Sequence, residues 1–111
     1  RQTLYNVETT PREFSSMVML VRDALLEMKK VLDYTGDVAA NYMKMEARCR
    51  KIYVFEERGD EFYREEIRRF FTEKQSAAYM IYWKDILVDV ERMLDAAAGA
   101  ATLLQKLFVR V

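Results

Sequence analysis

The amino-acid sequence predicts an all-α fold, a single antiparallel, up-down-up bundle of three long helices. The 111 residues include only three Gly and one Pro, too few for the tight turns of a many-stranded β fold. Hydrophobic residues also recur every three or four positions over three long stretches, the spacing that places side chains on one face of a helix. Because short connections make long neighbouring helices antiparallel, residues 10–111 should form one bundle, entered by an arm over residues 1–9.

The composition supports a core and argues against several classes of function. Hydrophobic residues make up 51% of the chain and charged residues 32%, a combination that excludes an intrinsically disordered chain. Eighteen basic residues balance eighteen acidic ones, so no global positive field favours nucleic acid. The longest uncharged stretches, 75–83 and 96–105, are about ten residues long, whereas a bilayer-spanning helix needs about 20. We therefore expect a soluble protein with no transmembrane segment and no nucleic-acid partner.

The cysteine content suggests a reducing compartment. Cys49 is the only cysteine, so it can form neither an internal disulfide nor a paired-cysteine metal motif. Together with seven methionines, this predicts a cytoplasmic location. The chain opens on Arg1, and we expect it to be part of a longer protein.

The first helix has a start signal and one apolar stripe. Thr10 can cap it, Pro11 suits the first helical position, and Glu13 completes a capping box. Gly36 is expected to end it. The predicted core stripe comprises Phe14, Met17, Val21, Leu25, Met28 and Leu32.

The second and third helices follow from two further caps. Asp37 can cap a helix that continues to about Phe71, and Ser76 can cap another after the polar turn 72–76. The seam of the second helix comprises Val38, Tyr42, Met45, Cys49, Ile52, Glu56, Gly59 or Asp60, Tyr63, Ile67 and Phe70. The stripe of the third comprises Met80, Trp83, Leu87, Val90, Leu94, Ala97, Ala101, Leu104 and Phe108.

Two carboxylates interrupt the apolar seam of the second helix. Glu56 and Asp60 lie where the pattern calls for Leu or Ile, and residues four apart share one helix face. Gly59 beside them costs about 1 kcal/mol of helix propensity relative to Ala. Its lack of a side chain leaves room for a ligand or another helix.

The third helix repeats this spacing with Glu91 and Asp95. Antiparallel packing could bring both pairs together, and four like charges would raise one another's pKa values unless a cation neutralised them. All-oxygen ligation suits Fe, Mn, Mg or Ca ions. The four carboxylates Glu56, Asp60, Glu91 and Asp95 are therefore the candidate metal ligands.

A simpler interpretation is that these acids are solvated and paired with nearby bases. Arg64 lies four residues after Asp60, and Arg92 lies three before Asp95, so both are within reach on their helices. The chain has no His, which argues against zinc and against the Glu-x-x-His pair of di-metal oxidases.

The remaining candidates have structural explanations. Trp83 falls on a core stripe, and Cys49 on the seam should be a buried hydrophobe. The cluster Lys44, Arg48, Arg50 and Lys51 could meet phosphate or an acidic protein, although a solvated helix face explains it too. No phosphate loop, nucleophile elbow or nucleic-acid motif is present, so we expect no enzyme.

Several of these elements together resemble PhoU-like proteins. They are Glu56-x-x-x-Asp60 with Tyr63-Arg64, then Trp83-Lys84-Asp85-Ile86, then Glu91-x-x-x-Asp95, and the arm Leu4-Tyr5-Asn6-Val7-Glu8. In this order they are similar to the C-terminal half of PhoU-related accessory proteins of inorganic phosphate permeases.

The resemblance implies both a fold and a function. It implies one of two three-helix bundles, with the two acidic pairs as metal ligands, and regulation of phosphate transport through contacts with the cytoplasmic face of a transporter. Location would then be cytoplasmic, including the periphery of the inner membrane. The third-helix pair departs from PhoU itself, because Ala96 stands where a His often follows the Asp.

Alternatives from other classes remain open. A structural interaction bundle without ligand would explain the same helices, and an all-carboxylate metal hydrolase would lack a positioned nucleophile or base. The many aromatic residues also predict an uncovered apolar face and a homo-oligomer, with a two-fold dimer as the commonest form.

Overall fold

The computed structural model describes residues 9–109, and three helices account for most of them. Helix α1 spans Phe14–Asp33, α2 spans Val38–Thr72 and α3 spans Ala77–Val109, with one 3₁₀ turn, Tyr34–Asp37, between α1 and α2. Each helix packs against both others, and no strand occurs among the described residues. The predicted all-α class is confirmed. The arm over residues 1–8 lies outside the described residues.

Contacts between α2 and α3 run in opposite order along the two helices. The Tyr53 hydroxyl, near the middle of α2, lies 2.9 Å from the Thr102 hydroxyl late in α3. The ring of Phe70, at the end of α2, lies 5.4 Å from that of Tyr79 at the start of α3. The described part of the chain is a rod with extents of 59 × 18 × 16 Å. Within it, no helix is long and apolar enough to cross a bilayer.

The core confirms the predicted stripe of α3 and most of the predicted seam of α2. On α3, all stripe members are buried except Met80 and Leu104, which are half-buried. On α2, Met45, Cys49 and Ile52 are fully buried and Phe70 nearly so. The heptad-like spacing of α3 therefore identified the core-facing side of that helix.

The predicted stripe of α1 is wrong in part. Leu25 is 57% exposed and Leu32 is 52% exposed, whereas Leu20, Ala24 and Val31 are buried. Two largely apolar rows run side by side on α1, and the row starting at Leu20 faces the core. The sequence spacing fits both rows equally well, since each repeats every three or four residues.

Two of the predicted helix caps are confirmed. The Asp37 carboxylate accepts a hydrogen bond of 3.2 Å from the amide of Ala40 at the start of α2. The Ser76 hydroxyl accepts one of 3.1 Å from the amide of Tyr79 at the start of α3. These bonds satisfy amide groups that have no partner inside the helix.

The predicted ends of α1 are wrong. The helix begins at Phe14 without a side-chain cap, because the Glu13 amide donates to the carboxylate of Glu66 on α2, at 3.0 Å, instead of to Thr10. At the other end, Gly36 does not adopt a left-handed conformation. Helix α1 instead continues directly into the 3₁₀ turn, whose tighter bonds satisfy the last carbonyl groups.

Candidate cation site

A close approach of α2 and α3 creates the candidate site. Gly59 is buried, and a methyl group at its Cα would lie 2.3 Å from Leu94 Cδ1 and 3.6 Å from Glu91 Oε1. No other residue fits this position without displacing Leu94, which is itself buried. The glycine therefore lets the two helices meet where each carries an acidic pair.

The structure brings the four predicted carboxylates close enough to perturb one another across α2 and α3. Beyond the effect of burial, Asp95 on α3 raises the pKa of Glu56 on α2. Asp60 and Glu56 on α2, together with Asp95, likewise add to the effect of burial in raising the pKa of Glu91 on α3. We refer to these four residues as the carboxylate cluster. The cluster combines two acids from α2 with two from α3, the placement expected from the matched four-residue spacings.

Burial and mutual repulsion perturb the cluster. Burial raises the pKa of the Glu56 carboxyl, and the neighbouring Asp95 raises it further. Burial, followed by the neighbouring Asp60, raises the pKa of Glu91 to about 8. Both shifts disfavour the charged form, so the cluster holds a proton or needs a compensating positive charge near neutral pH.

One oxygen of the cluster has no partner. Glu91 Oε1 is buried and accepts no hydrogen bond, an unfavourable state for a buried acceptor. The phenol of Tyr63 lies nearby, and burial together with the charge of Glu91 raises its pKa. An atom that is buried, polar and unpartnered is a natural contact for a cation.

The basic partners expected from the sequence are only half present. Arg64 pairs with Asp60 at 3.3 Å, as the simpler interpretation predicts. Arg92 pairs with Asp89 at 3.6 Å and not with Asp95, because Asp89 and Arg92 lie on the outer side of α3. Arg64 thus partly neutralises the negative charge of Asp60, and both side chains of this ion pair are well exposed.

The arrangement is not a ready-made metal cage. Among residues 9–109, no group of three or more His, Cys, Asp or Glu side chains is positioned to hold one metal ion. A shared ion would therefore require side-chain rotation to bring three or more of the four carboxylates onto it.

Two other acids, which the sequence pattern did not single out, are more buried than the cluster. Glu66 is 1% exposed, accepts from the Glu13 amide and pairs with Arg69. Glu27 is 8% exposed and pairs with Arg48 at 3.2 Å. Glu27 lies on the buried row of α1 that starts at Leu20, and Glu66 lies on the buried row of α2 that includes Gly59. Extending these two rows along the sequence would have identified both acids as buried. Both have basic partners, which gives them a structural role.

The other candidates have the structural roles expected of them, with one correction. Trp83 and Cys49 are buried in the core, and burial raises the pKa of the Cys49 thiol. The basic cluster is not a uniform exposed ridge, because Arg48 turns inward to Glu27. Arg50 and Lys51 remain exposed.

Comparison with known proteins does not assign the chain to a family, so the function is inferred from the sequence and the geometry. No protein-family model matches the chain, and neither a curated protein nor a solved structure is significantly similar to it.

Proposed function

We propose that this protein is a PhoU-like regulatory adaptor of inorganic phosphate transport whose carboxylate cluster binds a hard metal ion. Its fold would be an up-down-up three-helix bundle equivalent to one half of a PhoU-like protein. The observation that carries the proposal is the buried, unpartnered Glu91 Oε1 beside Gly59, in a cluster of four acids that act on one another across two helices. The same residues carry the resemblance to PhoU-like proteins.

The donor set fits a hard cation chemically. All four groups supply carboxylate oxygen, which suits Fe, Mn, Mg or Ca ions. A cation would give Glu91 Oε1 the partner that it lacks and would favour the charged form of an acid whose pKa is raised to about 8. Glu56, Asp60, Glu91 and Asp95 would hold the ion, which would supply charge neutralisation and no catalytic step.

Regulation would proceed by docking. The described chain is a rod 59 Å long, and long packed helices present a broad, preorganised face that suits a protein partner. The carboxylate cluster and the exposed Arg50 and Lys51 are the surfaces proposed to contact the cytoplasmic face of a phosphate transporter. The link to phosphate rests on the motif resemblance alone.

The adaptor function is tested in cells. Uptake of labelled phosphate should change when the full-length gene is deleted, and the protein should co-purify with a phosphate transporter. The purified protein should show no turnover of phosphate esters. Unchanged uptake together with no co-purification would overturn the adaptor function.

A structural interaction module without ligand is the second candidate. It is favoured by the pairing of Arg64 with Asp60 and by the lack, in the described part of the chain, of three acids placed on one ion. In that case phosphate uptake would not respond to deletion, and metal ions would leave the thermal stability of the protein unchanged.

A further inference from the structure

An apolar groove lies between α1 and α3, on a different pair of helices from the carboxylate cluster. It has a volume of about 370 Å³, and the residues that line it include Val21, Leu25, Met28, Met93, Ala96 and Ala100. Along α3, Ile86, Met93, Ala100 and Leu107 recur every seven residues, which places them on one stripe of the helix. We call the groove and its extensions to Leu32 and Leu107 the α1–α3 face.

The α1–α3 face exposes large side chains that the core does not use. Leu25, Leu32 and Met93 are 57%, 52% and 55% exposed, and Leu107 is 45% exposed. The stripe from Ile86 to Leu107 is about 32 Å long at 1.5 Å per residue. With the 18 Å width of the rod, the face covers on the order of 600 Å², and contiguous apolar patches of this size mark interaction sites.

We propose that the α1–α3 face is the interface of a two-fold homodimer, in which α1 of one copy packs on α3 of the partner. Burial of about 600 Å² on each copy reaches the lower end of the range for specific interfaces, about 1,200 Å² in total. A single helix from another protein would fill the groove but leave the outer edges of the α1–α3 face exposed. The α1–α3 face of a second copy would cover its full width.

Size and charge both favour a second copy as the occupant. The α1 side of the face carries Leu25 and Leu32, and the α3 side carries Met93 and Leu107 with the small residues Ala96 and Ala100 between them. Leu25 of one copy can therefore pack over Ala96 and Ala100 of the other, and a two-fold axis repeats this contact twice. Asp89 borders the face but pairs with Arg92, and the chain has a formal net charge of zero, so copies do not repel each other.

The test compares glutamate substitutions on and off the face. Leu25→Glu and Met93→Glu place a charge on the α1–α3 face. Leu26→Glu and Val54→Glu are the controls, because Leu26 and Val54 are each 50% exposed but lie outside it. Circular dichroism establishes that all four variants remain folded, and sedimentation equilibrium measures their dimer dissociation constants.

The proposal predicts a wild-type dimer at tens of micromolar. Leu25→Glu and Met93→Glu should each raise the dissociation constant at least tenfold, and the two controls should leave it within about twofold. A folded monomeric wild-type protein would overturn the proposal, as would a dimer that responds equally to both pairs of substitutions. Neither outcome bears on the cation site, which lies between α2 and α3.

Discussion

Gly59 on α2 lies directly against Leu94 on α3, with only 2.3 Å between Leu94 Cδ1 and the place where a Cβ on residue 59 would be. This contact sets the separation of the two helices beside the carboxylate cluster. Glu91 lies within the same contact, so the glycine determines how closely the acids of α2 and α3 approach each other.

The first prediction concerns this contact. Gly59→Ala gains up to about 1 kcal/mol of helix propensity, but overpacking a core site costs about 1–3 kcal/mol. We expect a net decrease of about 1 kcal/mol in the free energy of unfolding, measured by urea denaturation. Gly99→Ala is the matched control, because nothing lies within 4 Å of the added methyl group, and it should stabilise the protein. Equal stabilisation by both substitutions would show that α2 and α3 are not held in contact at Gly59.

The second prediction concerns the pH dependence of stability. Folded Glu91 keeps its proton up to about pH 8, whereas its ordinary pKa is 4.5. The folded state therefore binds more protons than the unfolded state between these values, so the free energy of unfolding falls as the pH rises through this window. Glu91→Gln should flatten this part of the profile and should make the protein more stable than wild type at pH 9.

A control separates this effect from general charge repulsion. Glu61 is an exposed acid of α2 that does not contribute to the raised pKa of Glu56 or of Glu91, and Glu61→Gln should leave the shape of the profile unchanged. Thermal melts of the three proteins from pH 5 to pH 9 provide the comparison. A wild-type profile that rises steadily from pH 5 to pH 8 would contradict the raised pKa of Glu91.

The third prediction concerns Glu66, which joins the start of α1 to the end of α2. Glu66→Ala removes the acceptor of the Glu13 amide and the partner of the half-buried Arg69. Breaking a buried ion pair costs about 3–5 kcal/mol, and since Arg69 keeps some contact with water, we expect a loss of about 3 kcal/mol. Glu65→Ala is the control: Glu65 is well exposed, and its replacement should change the free energy of unfolding by less than about 0.5 kcal/mol. Similar losses in both variants would show that Glu66 does not join the two helices.

Features that depend on a single helix were predicted from the sequence more reliably than features that depend on contacts between helices. The stripe of α3 could be predicted because apolar residues recur along it from Met80 to Phe108 without a charged residue. On α1, the row through Leu25 is apolar whereas the row through Leu20 includes Glu27, and only the placement of α2, which supplies Arg48 as the partner of Glu27, makes the second row the buried one. The start of α1 was missed for the same reason, because the Glu13 amide before the helix donates to Glu66, 53 residues further along the chain.

The candidate site shows the same division. The matched spacings of Glu56 with Asp60 and of Glu91 with Asp95 were enough to expect that the acids meet. They could not show that Glu91 lies against Gly59 with one oxygen buried and unpartnered, because that depends on the register between α2 and α3. Arg92 lies within helical reach of both Asp89 and Asp95, so the spacing alone does not determine its ion-pair partner. The direction of its side chain does, and the partner is Asp89.

The most direct test of the cation site is a calorimetric titration with Mn²⁺ at pH 7.5. Three proteins are compared: wild type, the double variant Glu56→Gln with Asp60→Asn, and the control double variant Glu61→Gln with Glu65→Gln. The control removes the same charge at the same spacing from exposed positions of α2. We predict saturable binding to wild type and control with equal affinity, and at least tenfold weaker binding to the cluster variant. No saturable binding to wild type, or equal binding to all three proteins, would contradict a cation site at the carboxylate cluster.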